Sequence, residues 1–174
     1  FSTNESLINL NVSGNVYTTL DLSSQINLEF LSCSGSNLTE LDISFNSNLR
    51  QLDCTYSSEQ FTQLNTSENL ELRRLLIHNS FFTTIDLSNN IKLRTLNVGI
   101  NDMLTTLDLT ANINLLALFC LGNNLTELDV SNNIYLREIE CSYNNLTELD
   151  ISNNIYLNRF KSLMNNIECI QTWD

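Results

Sequence analysis

Three kinds of residue in this 174-residue chain could carry chemistry: one histidine, five cysteines and a regularly spaced set of aspartates. His78 could act as a general base, but no nucleophile motif, phosphate-binding loop or metal-ligand spacing accompanies it. A single histidine without such partners is most often ordinary polar surface. The sequence therefore predicts that the protein is not an enzyme and that it uses no cofactor and no metal.

The aspartates recur at one position of a repeated phrase, L-T-x-L-D-(L/I/V)-S-x-N, and would stack into a row. Carboxylates in a row could bind calcium, but a calcium site gathers several ligands around one ion, and each copy of the phrase supplies one aspartate. The neighbouring Thr and Ser residues could instead donate hydrogen bonds to the carboxylates. We expect the hydrogen-bonding role, with calcium as the alternative. The row consists of Asp21, Asp42, Asn65, Asp86, Asp108, Asp129, Asp150 and Gln171.

Four cysteines, Cys33, Cys54, Cys120 and Cys141, share position 6 of a second repeated phrase, L-x-x-L-x-C-x-x-N. Apolar residues occupy this position in other copies, so we expect buried thiols that pack like small apolar side chains. Side chains stacked in register are poorly aimed for a disulfide, which makes bridging the less favoured alternative. Cys169 occupies an outward position of the last copy, which predicts an exposed thiol.

The two phrases alternate along the chain and define an internal repeat. We call the first phrase the A half and the second the B half. Successive A halves begin 21, 23, 21, 22, 21, 21 and 21 residues apart, and such fixed spacing is typical of a solenoid. The A halves begin at Tyr17, Leu38, Phe61, Phe82, Leu104, Leu125, Leu146 and Ile167, and the B halves begin at Leu7, Leu28, Leu49, Leu72, Leu93, Leu115, Leu136 and Leu157.

Apolar residues at positions 1, 4 and 6 of both halves predict short extended segments with one side facing inward. Neither half has room for a helix. The expected fold is a nearly straight, mainly β solenoid of about eight coils with two short parallel strands per coil, forming one domain over residues 1–174. The Asn at position 9 of each half is expected to bond backbone groups that the corners leave unpaired.

The segment LREIECSYNNL, residues 136–146, resembles the LxxLxLxxNxL signature of leucine-rich repeat proteins. The intervening LTxLDxS phrase is similar to the short 21-residue bacterial type called IRREKO, which is common in Bacteroidetes surface proteins. The resemblance covers nearly the whole chain. It implies a non-enzymatic binding scaffold that is secreted or displayed on a bacterial cell surface. Because the chain starts FSTNESL, we expect a fragment of a longer protein from which the signal peptide is absent.

The net charge argues against a nucleic-acid partner, and the hydropathy argues against a membrane-spanning segment. The formal net charge of −12 argues against binding to a nucleic-acid backbone, which normally requires a basic surface. No run approaches eighteen apolar residues, so no membrane span is predicted.

The outward positions 3, 5 and 7 of the B halves vary from coil to coil, whereas the A halves repeat almost unchanged. Such variation predicts a binding surface on the B halves, and Leu76, Phe119 and Leu121 are expected to form an exposed apolar patch there. The predicted partner-binding residues are Arg74, Leu76, His78, Asn97, Phe119, Leu121, Glu140, Tyr143, Arg159 and Lys161.

Three functions remain open at this point. The patch favours protein recognition, while Tyr143, Phe119, Asn97 and the arginines would suit a polysaccharide-binding or adhesion module. A structural spacer is the third possibility. Uncapped terminal coils, at Phe1 and at Trp173, also predict some self-association through the ends of the rod.

Overall fold

A computed structural model describes residues 4–173, and this part of the chain contains ten three-residue β-strands and no helix. The absence of helix follows from the repeat, since ten or eleven residues per half are used up by one extended segment and one corner. The strands are β1 (Asn9–Asn11), β2 (Phe30–Ser32), β3 (Gln51–Asp53), β4 (Arg74–Leu76), β5 (Thr95–Asn97), β6 (Ala117–Phe119), β7 (Glu138–Glu140), β8 (Glu148–Asp150), β9 (Arg159–Lys161) and β10 (Cys169–Gln171).

The B halves form one parallel sheet of eight strands in the order β1-β2-β3-β4-β5-β6-β7-β9. Each strand covers positions 3 to 5 of its B half, and every residue lies beside the equivalent residue of the next coil, as Leu31 lies beside Leu52. The middle residue points into the core and its two neighbours point outward. The predicted parallel β-solenoid of about eight turns is therefore confirmed, with one sheet continuous along its length.

The A halves differ from the prediction of a second strand in every coil. Only the last two A halves pair as strands, β8 with β10. The backbone N–H at position 7 bonds the side chain at position 5 of its own turn in the unpaired A halves and in the A half of β8 alike. Ser44 N donates to Asp42 Oδ1 at 2.9 Å, and Ser152 N donates to Asp150 Oδ1 at 2.8 Å. Because the turn supplies its own acceptor, the A half satisfies that donor without a ladder to the next coil.

The core lies between the B sheet and the A halves and is built from the mostly apolar side chains of positions 1, 4 and 6, among which leucine is the commonest. Leu28, Leu49 and Leu72 have no exposed surface, which shows how completely successive coils cover one another. Thr66 interrupts this pattern at position 6 of its A half. Its buried hydroxyl donates to Asn90 Oδ1 at 2.7 Å, so the polar group is satisfied inside the core.

Asparagines at position 9 of the A halves form a buried ladder along one corner. Each side-chain amide donates to two backbone carbonyls of the preceding coil, as Asn112 Nδ2 does to Leu87 O and Asn90 O, both at 3.1 Å. The B-half asparagines act similarly: Asn123 Nδ2 donates to Cys120 O at 2.9 Å and to Val98 O at 3.0 Å. The predicted role of these rows as a source of hydrogen bonds for the corners is confirmed.

The ends of the rod expose apolar side chains where they are described. Ile170 and Trp173 are exposed at the last coil, whereas Phe1 lies outside the described residues. No segment of residues 4–173 forms a helix with the length and apolarity needed to cross a membrane.

Candidate functional site

The predicted binding residues lie together on the outer face of the B sheet and along one edge of it. The register places them in two rows across adjacent strands, which lie about 4.8 Å apart. One row contains Leu76, Asn97, Phe119, Glu140 and Lys161, and the other runs from Arg74 to Arg159. His78 and Leu121 follow two residues after their strands, and Tyr143 lies at the corner beyond them.

The apolar centre of this face is half-buried, whereas the sequence predicted an exposed patch. Leu76, Phe119 and Leu121 are each partly covered by neighbouring coils. Leu121 leans over Gly99, where an added Cβ would lie 2.8 Å from Leu121 Cδ2. The small residue of one coil therefore accommodates the large residue of the next, and the centre of the face is flatter than three fully exposed side chains would make it.

Position 5 of the B half supplies a local hydrogen-bond acceptor in four of the eight coils. The side chains of Asp53, Asn97 and Glu140 each accept a hydrogen bond from the backbone N–H two residues later, at 3.0, 3.1 and 3.3 Å. Leu76 and Phe119 occupy the same position without an oxygen. In these two coils, an apolar side chain therefore occupies the position at which other coils have a side chain that accepts a local hydrogen bond.

His78 contributes an uncharged ring to this surface. Burial lowers its pKa below the ordinary histidine value, and the opposing effect of the Asp53 carboxylate is smaller. The ring lies edge-on to Tyr56, with centroids 5.5 Å apart. At neutral pH the pair therefore presents aromatic surface and not a positive charge.

The charged residues at the far end of the sheet are paired with each other. Arg159 lies 3.6 Å from Glu138, and Lys161 lies 3.4 Å from Glu140. Exposed pairs of this kind contribute little to stability. Their effect on binding is to reduce the net positive charge that Arg159 and Lys161 offer to an anionic ligand.

A second basic feature lies just before the strands, at position 2 of the B halves. Arg50, Arg73 and Arg94 occupy it in three consecutive coils, and backbone bonds of 2.8 Å from each to the next fix their stacking. All three side chains are exposed, and Arg50 forms an ion pair with Glu29 at 3.0 Å. We call these three residues the arginine stripe. It stands out because the chain as a whole is strongly acidic.

The most exposed apolar residues lie at the two corners of the coil, where the sequence predicted one partner-binding residue, Tyr143. At the corner from A to B half, exposed aliphatic residues follow the buried asparagines. We call this row the aliphatic edge: Ile26, Leu70, Ile91, Ile113, Ile134 and Ile155.

At the corner from B to A half, position 8 has a left-handed backbone in every coil, with φ between 53° and 70°. The glycines in three of these positions were a signal in the sequence that the conformation is left-handed. We call the row the corner ridge: Gly14, Gly35, Tyr56, Asn79, Ile100, Gly122, Tyr143 and Met164.

The aspartate row makes the hydrogen bonds expected of it. Bonds from the Ser or Thr two residues later lower the pKa of the aspartates at position 5 of the A halves. Asn65 accepts the same backbone bond, from Ser67 N at 3.0 Å, so the turn does not require a charge. Within residues 4–173 no three His, Cys, Asp or Glu side chains converge as metal ligands.

The cysteines also lie where the sequence predicted. Four are buried free thiols, and Cys33 Sγ lies 3.1 Å from Cys54 Sγ. Burial, assisted by the nearby Glu140 carboxylate, raises the pKa of the Cys141 thiol to about 12. Cys169 is exposed. The buried thiols therefore act as core side chains at neutral pH.

Comparison with known proteins gives structural neighbours only. No model of a known protein family and no curated protein matches the chain. The functional domain of InlJ from Listeria monocytogenes, which is described as including a cysteine ladder, is 37% identical with a TM-score of 0.91. The match covers 94% of this chain and 36% of that domain, so the chain spans about a third of its bacterial neighbour.

Two further neighbours are solved in complexes. The TLR13–ssRNA13 complex matches at 22% identity and a TM-score of 0.75, covering 95% of this chain and 27% of that one. The Toll–Spatzle complex of Drosophila matches at 24% identity and a TM-score of 0.73, covering 94% and 26%. These likenesses show the fold, a leucine-rich repeat solenoid. The assignment to the Bacteroidetes-type 21-residue repeats stays a prediction.

Proposed function

We propose that the protein is a non-enzymatic recognition scaffold that binds a protein partner through the outer face of its B sheet. The observation that supports this most directly is the replacement of the position-5 acceptor by Leu76 and Phe119. Neighbouring coils carry a hydrogen-bonding residue at this position, so Leu76 and Phe119 give up a local bond, and the solenoid itself leaves both only half-buried. A partner that covers the face would bury both.

The composition of the face suits a protein surface. Half-buried Leu76, Phe119 and Leu121 provide a flat apolar centre, and the His78 ring beside Tyr56 extends it with uncharged aromatic surface. Paired charges at Glu140 and Lys161 form a polar border. An apolar centre with a polar rim is the usual anatomy of a protein interface. The Toll–Spatzle neighbour, solved as a complex, is consistent with this use of the fold.

A second candidate is binding of an anionic polysaccharide, and the arginine stripe is the observation that favours it. Three exposed arginine side chains that extend from backbones about 4.8 Å apart would offer a row of guanidinium groups to a chain of sulfate or carboxylate groups. The stripe lies beside the B sheet and not on its apolar centre, so the two candidates depend on different residues. Secretion or display at the cell surface stays a prediction under either candidate.

The test compares two triple variants with the native chain. The first, Leu76→Ser, Phe119→Ser and Leu121→Ser, removes the apolar centre of the face. The matched control, Ile91→Ser, Ile113→Ser and Ile134→Ser, removes exposed aliphatic residues from the aliphatic edge. Circular dichroism establishes that both are folded. Partners captured by the native chain from host or environmental extracts are identified by mass spectrometry, produced in purified form and titrated against all three proteins.

The proposal predicts that a purified partner protein binds the native chain and the control equally, while the face variant loses at least about tenfold in affinity. Equal binding by the face variant would refute it. A polyuronate or heparin chain serves as the probe for the second candidate, with Arg73→Ser and Arg94→Ser as the variant. Loss of that binding alone would favour the polysaccharide. No binding by any form would favour the spacer.

A further inference from the structure

The corner ridge contains bulky residues that the fold does not need. Ile100, Tyr143 and Met164 adopt φ values of 53°, 56° and 54°, a region where a side chain with a Cβ is strained. For β-branched Ile100 this backbone conformation is a clear outlier. Gly35 and Gly122 make the same corner with no strain from a Cβ. Since glycine suffices for the turn, the bulky side chains serve something other than the turn.

These side chains also remain largely exposed, although Tyr56 lies against His78 and Ile100 lies against Gly122. Tyr56 is 59% exposed, Ile100 44%, Tyr143 56% and Met164 72%, and Met103, three residues after Ile100, is 58% exposed. An apolar row of this length on an acidic chain is unfavourable in water unless something covers it. Strain and exposure therefore point to an interaction surface along this corner.

Backbone hydrogen bonds hold the ridge in regular rows. The position-8 N–H donates to the position-7 carbonyl of the next coil, from Tyr56 to His78 at 3.2 Å and from Ile100 to Leu121 at 2.7 Å. Equivalent bonds join every pair of neighbouring coils along the ridge. The rows are thus spaced by about 4.8 Å, and eight rows form an edge roughly 34 Å long.

We propose that the corner ridge is a dimer interface between two copies of this chain. The copies lie antiparallel, with a two-fold axis through the row of Ile100. A two-fold axis brings the same edge of both copies together, so each row meets the row equally far on the other side of the axis. The resulting row pairs are Ile100 with Ile100, Tyr56 with Tyr143, Asn79 with Gly122, and Gly35 with Met164.

The order of residues along the ridge is what selects a second copy as the partner. In the antiparallel arrangement the most exposed side chain of the ridge, Met164, faces the gap at Gly35, and Asn79 faces the gap at Gly122. The two tyrosines meet as an aromatic pair. A parallel arrangement would instead place Met164 against Met164 and glycine against glycine. The ridge is complementary to its own reverse, and a different protein would have no reason to match that order.

Electrostatics distinguishes this dimer from other modes of association. The ridge itself is uncharged, while each copy carries a formal net charge of −12. Burial of apolar surface drives the contact and mutual repulsion of the two chains opposes it, so added salt strengthens the dimer by screening the repulsion. If the copies associated instead through the arginine stripe of one and the acidic A halves of the other, the association would weaken as salt is added. Stacking of the exposed rod ends would give open-ended chains and not a closed dimer.

Sedimentation equilibrium over a wide range of concentrations tests the interface. The native chain should form a dimer that tightens as sodium chloride is added. Ile100→Gly and Tyr143→Gly should each weaken dimerisation by at least about tenfold. At concentrations where the native chain is monomeric, their melting temperatures should equal or exceed the native value, because glycine relieves the left-handed strain. Ile134→Ser, which removes an equally exposed residue from the aliphatic edge, should leave the dimer unchanged.

A crosslink tests the position of the axis. Ile100→Cys in a Cys169→Ser background places one accessible thiol per copy at the two-fold axis, and diamide should convert it to a disulfide-linked dimer. Ile134→Cys in the same background should remain monomeric in denaturing gels. A chain that stays monomeric at high concentration and high salt, an Ile100→Gly variant that dimerises normally, or equal crosslinking through Ile134→Cys would each overturn the proposal.

Discussion

Removal of one amide from the buried asparagine ladder should measure how strongly the coils are coupled. Asn112→Ala deletes the two hydrogen bonds that Nδ2 donates to Leu87 O and Asn90 O, each 3.1 Å long. Both carbonyls keep a second partner, since Asn90 N donates to Leu87 O and Leu93 N to Asn90 O, each at 3.0 Å. Neither carbonyl is orphaned, so the loss should be close to the net value of two hydrogen bonds, about 2 kcal/mol.

The substitution Asn90→Ala should lower the free energy of unfolding more than Asn112→Ala does, because Asn90 also accepts a hydrogen bond from the Thr66 hydroxyl. Asn112 Oδ1 is buried without a partner in the described part of the chain, whereas Asn90 Oδ1 accepts from Thr66 Oγ1 at 2.7 Å. Asn90→Ala therefore weakens the hydrogen bonding of the buried Thr66 hydroxyl as well as removing two amide bonds. We expect Asn90→Ala to be more destabilising than Asn112→Ala by about 1 kcal/mol.

Urea unfolding followed by circular dichroism gives the free energy of unfolding for each variant. The Thr66→Val background supplies the control, because the extra cost of Asn90→Ala should disappear when the hydroxyl is absent. An Asn112→Ala variant within about 0.5 kcal/mol of the native chain would show that the ladder contributes far less than its geometry suggests. Equal costs for Asn90→Ala and Asn112→Ala would show that the Thr66 contact is energetically irrelevant.

Three further outcomes follow from the packing and the turns. In a thiol-specific reagent under native conditions Cys169 should react at once and the other cysteines only on unfolding, and a second fast thiol would contradict their burial. Gly99→Ala should destabilise the chain by about 1–3 kcal/mol in thermal unfolding, since the new methyl group meets Leu121 Cδ2 at 2.8 Å, and Leu121→Ala should restore part of the loss. Hydrogen bonds from the Thr110 hydroxyl and backbone hold the pKa of Asp108 below its ordinary value, so its stabilisation is present above the unfolded-state pKa and is lost as the pH falls through the folded-state pKa. Asp108→Asn keeps the acceptor, as Asn65 does, so its melting temperature should fall less on acidification than that of the native chain.

The repeat was sufficient to predict the architecture, because each position has one structural role in every coil. The inward cysteines, the asparagine ladder and the parallel register all follow from the alternation of the two phrases. The second strand in each coil did not follow, since the same pattern of apolar residues fits both a paired strand and an extended segment that ends in a local turn. The bond from Ser44 N to Asp42 Oδ1 satisfies one donor of the turn, but Ser152 N makes the same bond beside strand β8, so local hydrogen bonding at this position does not distinguish the two either.

The candidate site was only partly predictable for a similar reason. Variation in the B halves predicts a binding face, and that role stays a prediction. The half-burial of Leu121 could not be predicted from it, because it depends on the absence of a side chain at Gly99 in the neighbouring coil. Tyr143 was among the predicted binding residues, but the corner ridge was missed as a row because Tyr143 and Ile100 differ in chemistry from the glycines that share their position. These residues share a positive backbone φ, and the sequence indicates such an angle only at the positions that carry glycine.

The direction of the B-sheet hydrogen bonds has a mechanical consequence. In this fold they run along the length of the rod, from one coil to the next, so a force that pulls the two ends apart loads the bonds of the terminal coil before those of the interior. The rod should therefore lengthen in steps under tension, one coil at a time. Each step would release roughly 70 Å of extended chain for a 21-residue coil, so a pulling experiment on single molecules would record the repeat as a series of nearly equal extensions.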